Sequence, residues 1–139
     1  MSALIDVSAL RAMFEISEDV EAPRLTYAIT AGNARVKDWV TDQDYNDATG
    51  NDEQYNEKRN ILEFAVGVAA MHYAIRGLNS NITPKGMVLQ AKEEGSVVIQ
   101  YLTPQQTAQA AQDYLEQAEE LCRPYRRYDE LSNIEVISA

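Results

Sequence analysis

The chain is predicted to be mainly α, a four-helix bundle-like domain around a central apolar helix, with a β-hairpin between the last two helices and an extended C-terminal tail. Three observations predict it. The fifteen-residue run Ile61 to Ile75, ILEFAVGVAAMHYAI, is apolar at nearly every position. A helix that is hydrophobic on most of its circumference belongs inside a protein, and this run falls short of the roughly 20 residues a membrane span needs. Leu25, Ala28, Ile29, Gly32, Val36, Trp39 and Val40 follow the 3.6-residue period of an amphipathic helix. Thr103-Pro104-Gln105-Gln106 joins a capping threonine, a proline at the first helical position and a glutamine three residues on, the pattern of a capping box.

Taken in order, a first helix is expected after Asp6, whose carboxylate can accept from orphan backbone amides, running to about Phe14 with Val7, Leu10 and Phe14 on one side. The acidic turn SEDVEA follows, and Pro23 fits the first position of the second helix. Thr41 to Glu53, TDQDYNDATGNDE, is dense in Asp, Asn and Gly without apolar periodicity and reads as an exposed loop. The central helix is expected to start near Asn51 or Asp52 and to stop near Gly77. Burying Ile61, Leu62, Phe64, Val66, Val68, Met71 and Ile75 would contribute on the order of 10–20 kcal/mol before chain entropy is subtracted. Its one hydrophilic edge, Glu63, Gly67, Ala70 and Ala74, is mostly small and suits a close-packed neighbour.

Beyond Ile82, Thr83, Pro84 and Gly86 break any helix, and Met87 to Lys92 and Ser96 to Leu102 are β-branched or alternating around Glu93-Glu94-Gly95. This reads as a hairpin at about 87–102, which must pack on the helices or pair outside its own subunit, because an isolated two-stranded hairpin is marginal in water. In the last helix Ala108, Ala111, Leu115, Ala118, Cys122 and Tyr125 alternate steps of three and four, a coiled-coil-like seam suited to the Gly67 edge. Pro124 disfavours a long continuation. The domain is therefore read as 1–127 and the extension as 128–139, with Leu131, Ile134, Val136 and Ile137 as its apolar positions.

The totals bound the function. A chain of 139 residues with 45% hydrophobic content supplies one domain and its core. A formal charge of -10 argues against gripping nucleic acid by neutralising phosphates. One cysteine, Cys122, excludes an intrachain disulfide, and the N-terminus lacks a basic start and long apolar run. An intracellular, reduced protein is expected.

Few constellations carry chemistry. Asp42, Asp44, Asn46 and Glu53 occupy the first, third, fifth and twelfth positions of an EF-hand calcium loop, but Asp47 stands where glycine permits the sharp turn, Thr49 stands at the normally apolar eighth position, and Gly50 falls at the ninth. His72 is the one histidine, so a His-based dyad or multi-His metal site is excluded by counting. It reads as a core or interface residue. Cys122 on the seam reads as a small buried residue rather than a nucleophile. No phosphate loop or nucleotide fingerprint is present, and no cofactor is expected. Arg123, Arg126 and Arg127 complement the negative end of the last helix dipole, or contact an acidic partner such as a neighbouring copy.

The order of these pieces, with the hairpin GMVLQAKEEGSVVIQYL and a closing helix ending AEELCRPYRR, resembles the head-tail connector proteins of tailed bacteriophages, also called head completion or adaptor proteins. The glycine before the hairpin, the EGS turn leading into Val97, Ile99 and Tyr101, and the segment Ala118 to Arg127 carry the resemblance, which covers most of Asp6 to Arg127. It implies a non-enzymatic structural protein of the virion neck, made in the host cytoplasm. Copies would form a ring, a dodecamer, below the portal protein and would carry the tail or its stopper. Double-stranded DNA would pass through the lumen without specific binding, and no membrane is involved. Lys92, Glu93, Glu94, Gly95, Val97, Ile99 and Tyr101 would then meet a neighbouring subunit, with Arg123, Arg126 and Arg127 as further contacts. The tail residues Leu131, Ile134, Val136 and Ile137 would dock on the portal or a neighbour. Two other classes remain open: a monomeric helical interaction module using the small-residue seam, and a calcium-binding helical protein using residues 42–53.

Overall fold

The computed structural model describes residues 3–81, 88–93, 96–101 and 104–127, with side chains described for 3–75 and 105–127. Five α-helices lie among them: α1 (Val7–Phe14), α2 (Ala22–Trp39), α3 (Asp42–Thr49), α4 (Asn56–Asn81) and α5 (Pro104–Cys122). The protein is mainly helical, and its helices pack on one another. α4 is the shared partner, touching α2, α3 and α5. Between α4 and α5 the backbone of β1 (Val88–Glu93) runs antiparallel to β2 (Ser96–Tyr101), with Val88 opposite Tyr101 and Glu93 opposite Ser96.

The helix starts follow local chemistry. Asp6 caps α1 by accepting from the Ala9 N–H at 2.8 Å, which satisfies one of the amides a helix leaves orphaned at its start. α1 ends at Glu15, whose φ of 50° is left-handed. The Arg11 guanidinium then donates to the carbonyls of Ser17 and Val20 at 2.5 Å each, folding the acidic turn back onto α1. Pro23 lies in the first turn of α2, where its missing N–H has no intrahelical partner to lose. The Leu4 N–H donates to Asn33 Oδ1 at 2.9 Å, and Asn33 Nδ2 donates to the Tyr45 hydroxyl at 2.8 Å. One side chain of α2 thereby holds both the N-terminal arm and α3.

The core is continuous across α1, α2, α4 and α5, with Leu10, Leu25, Val36, Leu62, Val66, Val68, Ile75 and Cys122 fully enclosed. Its closest contact is between backbones. A Cβ placed on Gly32 would stand 2.5 Å from the Ala70 nitrogen and 2.9 Å from the Ala69 carbonyl carbon, so α2 meets α4 with no side chain between them. α5 runs antiparallel to α4: the His72 ring reaches the Ala111 carbonyl while Lys58 lies over the Tyr125 ring, so advancing on one helix means retreating on the other.

Several expectations are corrected. Thr41 to Glu53 is not an open loop, because Asp42–Thr49 is helical with Tyr45 and Ala48 buried. Thr41 caps it, accepting from the Asp44 N–H at 3.1 Å and donating to the Asp44 carboxylate at 2.8 Å. The acidic residues that suggested a loop are favourable in a first helical turn, beside the positive end of the helix dipole. The central helix begins at Asn56, after a 3-10 turn at Glu53–Tyr55 capped by Asp52, and runs past Gly77 to Asn81. One interior glycine costs about 1 kcal/mol, too little to end a helix of this length.

Phe64 is 38% exposed rather than buried, stacked on Phe14 with ring centroids 6.5 Å apart. Gly67 receives α1 rather than α5, since its added Cβ would meet Met13 Sδ at 2.6 Å. On α5 Ala108 is exposed and Thr107 takes the buried place, so the seam runs through Thr107, Ala111, Ala118 and Cys122.

The two helical glycines have opposite tolerances. Gly32→Ala drives a methyl into α4 backbone and should destabilise the fold by about 3 kcal/mol in urea titrations. Gly67→Ala displaces only the end of a flexible methionine and gains helix propensity, so it should stay within about 1 kcal/mol of wild type.

Candidate functional site

The strongest polar cluster of the described side chains joins α3 to the start of α4. Asp44 and Asp47 lie three apart on α3 and share a face. Lys58 Nζ donates to Asp44 Oδ1 at 2.7 Å and to Asp47 Oδ2 at 2.8 Å. All three side chains are largely enclosed, at 19–22% exposure for Lys58 and Asp44 and 10% for Asp47. The ammonium also lies 5.0 Å from the Tyr55 ring centroid and 5.7 Å from that of Tyr125, so aromatic faces complete its shell. Its pKa is raised by the hydrogen bonds to Asp44 and Asp47. The Asp47 carboxyl is held below the usual carboxylate range, first by its bond to Lys58 and further by Gln43.

This arrangement bears on the calcium reading. An EF-hand loop wraps its first, third and fifth residues around one cation. Here Asp42, Asp44 and Asn46 are in a helix, where residues two apart do not face each other, and the cation held by Asp44 is the lysine. Among the described residues no group of three or more His, Cys, Asp and Glu side chains is arranged to hold a metal.

The basic end of α5 is built into the fold through main chain as well as charge. After the 3-10 turn Arg123–Tyr125, Arg126 forms an antiparallel bridge with Val40. The Thr41 N–H donates to the Tyr125 carbonyl at 2.9 Å, and the Arg127 N–H to the Trp39 carbonyl at 2.6 Å. The Arg127 guanidinium pairs with the Asp42 carboxylate. Arg126 is half-buried, while Arg123 is exposed and paired with Glu120 at 2.7 Å. Arg126 and Arg127 therefore fasten the end of α5 to the α2–α3 corner, whereas the Arg123 pair stays within the end of α5. Arg123 is the most open of the three.

His72 Nδ1 lies 2.7 Å from the Ala111 carbonyl. A carbonyl only accepts, so Nδ1 carries the proton and joins α4 to α5. Cys122 is fully buried, and burial pushes its thiol up to about 12, which suppresses the nucleophilic thiolate at neutral pH. A shallow depression of about 320 Å³ is lined by Lys37, Asp42, Tyr45 and Asn46, without a nucleophile and base in contact.

Of the residues singled out for contact between subunits, Lys92, Glu93, Val97, Ile99 and Tyr101 lie on the paired strands; their side chains are outside the described residues. Glu94 and Gly95 and the tail positions Leu131, Ile134, Val136 and Ile137 are also outside them. Exposed carboxylates are spread over the helices: Glu18, Asp19 and Glu21 before α2, Asp52, Glu53 and Glu57 before and at the start of α4, and Asp113, Glu116 and Glu120 on α5. No helix among the described residues is long and apolar enough to cross a membrane. Comparisons with protein-family models, curated proteins and solved structures find no match to the chain.

The Lys58 clamp has a defined pH window. Asp47 titrates lower in the folded state, so its contribution is present above the unfolded carboxylate value of about 4 and is lost as pH falls through the lower folded value. Lys58 titrates higher when folded, so its contribution is complete below about 10.4 and is lost only above that. Thermal midpoints should be flat between these limits on this account and fall in acid. Lys58→Met should cost about 1 kcal/mol at pH 7, after allowance for solvent screening, and should flatten the acid limb. An unchanged acid limb would show that other carboxylates set it.

Proposed function

We propose that this chain is a ring-forming structural adaptor of the neck of a tailed bacteriophage, joining the portal of a DNA-filled head to the tail or its stopper. The observation that carries the reading is the division of the chain into a helical core that satisfies its own seams and a two-stranded segment, Val88–Glu93 with Ser96–Tyr101, between α4 and α5. Two strands alone are marginal and gain by pairing or packing elsewhere. In this reading Lys92 to Tyr101 meets the neighbouring subunit, and twelve copies close the ring. The role is non-catalytic and needs no cofactor.

The charge supports the same reading. At -10 per subunit, repeated copies line a channel with surplus carboxylates, which repel phosphate and let the genome slide. The apolar tail residues Leu131, Ile134, Val136 and Ile137 reach the portal or an adjacent subunit, and Arg123 supplies an exposed cation beside an acidic neighbour. The protein is made in the host cytoplasm and resides in the virion neck. The module reading is weaker because the small-residue surfaces it needs are occupied internally: Gly32 by Ala69 and Ala70, and Ala111 and Ala118 within the core. The calcium reading is weaker because its loop is a helix closed by Lys58.

Sedimentation with portal rings tests the assignment of parts. Deleting residues 128–139 should abolish co-sedimentation while circular dichroism stays unchanged. Val97→Lys with Ile99→Lys should disturb assembly more than helix content. Undiminished co-sedimentation of the truncated chain would remove the tail from the interface, and global unfolding of the double variant would make the hairpin part of the core.

A further inference from the structure

The outer edge of α2 carries two arginines, Arg24 and Arg35, that pair with no carboxylate among the described residues. Arg35 is half-buried, and its Nε and Nη2 donate to the Tyr73 hydroxyl at 3.0 and 2.8 Å. Its guanidinium carbon lies 5.8 Å from the Trp39 ring centroid and 5.9 Å from that of Tyr73. The rings and the phenol fix the side chain, so little rotamer entropy remains to be lost on binding. Asp38 stands three residues on, yet no ion pair joins the two. Arg24 and Tyr27 precede Arg35 by eleven and eight residues, which puts all three on one side of the helix. Arg24 is exposed, and Tyr27 is 74% exposed. Arginine, tyrosine and tryptophan are the residue types that protein interfaces concentrate.

A complementary surface lies on another helix of the same subunit. Several carboxylates are committed internally: Asp6 caps α1, Asp44 and Asp47 hold Lys58, and Asp42 pairs with Arg127. On α5, in contrast, Asp113, Glu116 and Glu120 are exposed and spaced by three and four residues, an acidic row along its solvent side. Asp113 accepts from the neutral Gln109 amide at 2.8 Å, and Glu120 pairs with the exposed Arg123. Such exposed bonds are weak. The α2 row runs for about three turns and the α5 row for about two. Like charge opposes either row meeting its own copy across a two-fold axis. Opposite charge on two different helices favours a head-to-tail contact that repeats from copy to copy.

We propose that the Arg24–Tyr27–Arg35 edge of α2, backed by Trp39 and Tyr73, docks on the Asp113–Glu116–Glu120 row of α5 in a second copy of this chain. Arg35 is the anchored cation at the half-buried end of the contact, Arg24 the exposed one, and Tyr27 buries its ring between the two helices. Each copy uses both rows, so the contact is of the kind that generates rings. The proposal rests on the ring reading and deepens it, adding a contact between helices to that of the strands.

Native mass spectrometry of the full-length chain, alone and with portal rings, reads the contact. Arg24→Glu with Arg35→Glu, and separately Asp113→Arg with Glu116→Arg, should each lower assembly about tenfold at matched concentration. An equimolar mixture of the two variants should recover it, because each unaltered row meets an unaltered complement and each reversed row a reversed one. Should the Arg35 change unfold the chain by circular dichroism, the exposed pair Arg24→Glu and Glu116→Arg gives the same test with a smaller loss. Variants that assemble as wild type does, or a mixture that stays defective, would overturn the α2–α5 contact and leave the ring reading standing. A wild-type chain found as single subunits under both conditions would overturn both. Binding of a DNA duplex that is lost in Arg24→Glu/Arg35→Glu while assembly is kept would assign the α2 edge to phosphate and overturn the proposal.

Discussion

The fold depends on a contact that excludes side chains. Gly32 brings the α2 backbone against Ala69 and Ala70 of α4, leaving less room than a methyl group requires. Close-packed interiors transmit such constraints. With α2 set against α4, Arg35 reaches Tyr73 and Asn33 spans from Leu4 to Tyr45, each through hydrogen bonds that a displaced helix would lose. α5 completes the arrangement from another side of α4, joined through the His72 to Ala111 bond and the Tyr125 ring over Lys58.

Much of this was legible in the residues where the signal is local. Asp6 as a cap, Pro23 in the first turn of α2, α5 starting at Pro104 and the buried run around Leu62 to Ile75 all follow from chemistry within one or two turns. The missed features depend on what another element does. α3 was hidden because Asp and Asn favour turns; the helix is held by Tyr45 and Ala48 in the core and by Lys58 from α4. The pattern Thr41 with Asp44 three residues later, preceding Tyr45, was the signal that would have found it. Phe64 is indistinguishable from its neighbours in a run that is apolar all round, and its exposure follows from α1 covering only one face of its ring. Small residues marked the close edges without saying which helix would use them: Gly67 takes α1, while Gly32, which looked like one apolar position among several, makes the closest approach.

For the candidate site, the sequence located charged groups but not their partners. Arg126 and Arg127 look like a solvent-facing cluster, yet the chain returns to the α2–α3 corner and binds them through backbone and through Asp42. The return of chain order onto Trp39 and Val40 has no signature in the residues themselves. The acidic surplus, in contrast, is a property of the whole composition. It bears on the proposed function, because subunits of this charge closed into a ring would present a repulsive wall to DNA whichever carboxylates face inward.

The central claim is that these self-contained helical subunits assemble through parts outside their core. Native mass spectrometry of the full chain, alone and with portal rings, tests it most directly. The account predicts a discrete closed multiple of the subunit mass, twelve copies, carried by the portal. A single-subunit mass under both conditions would contradict it.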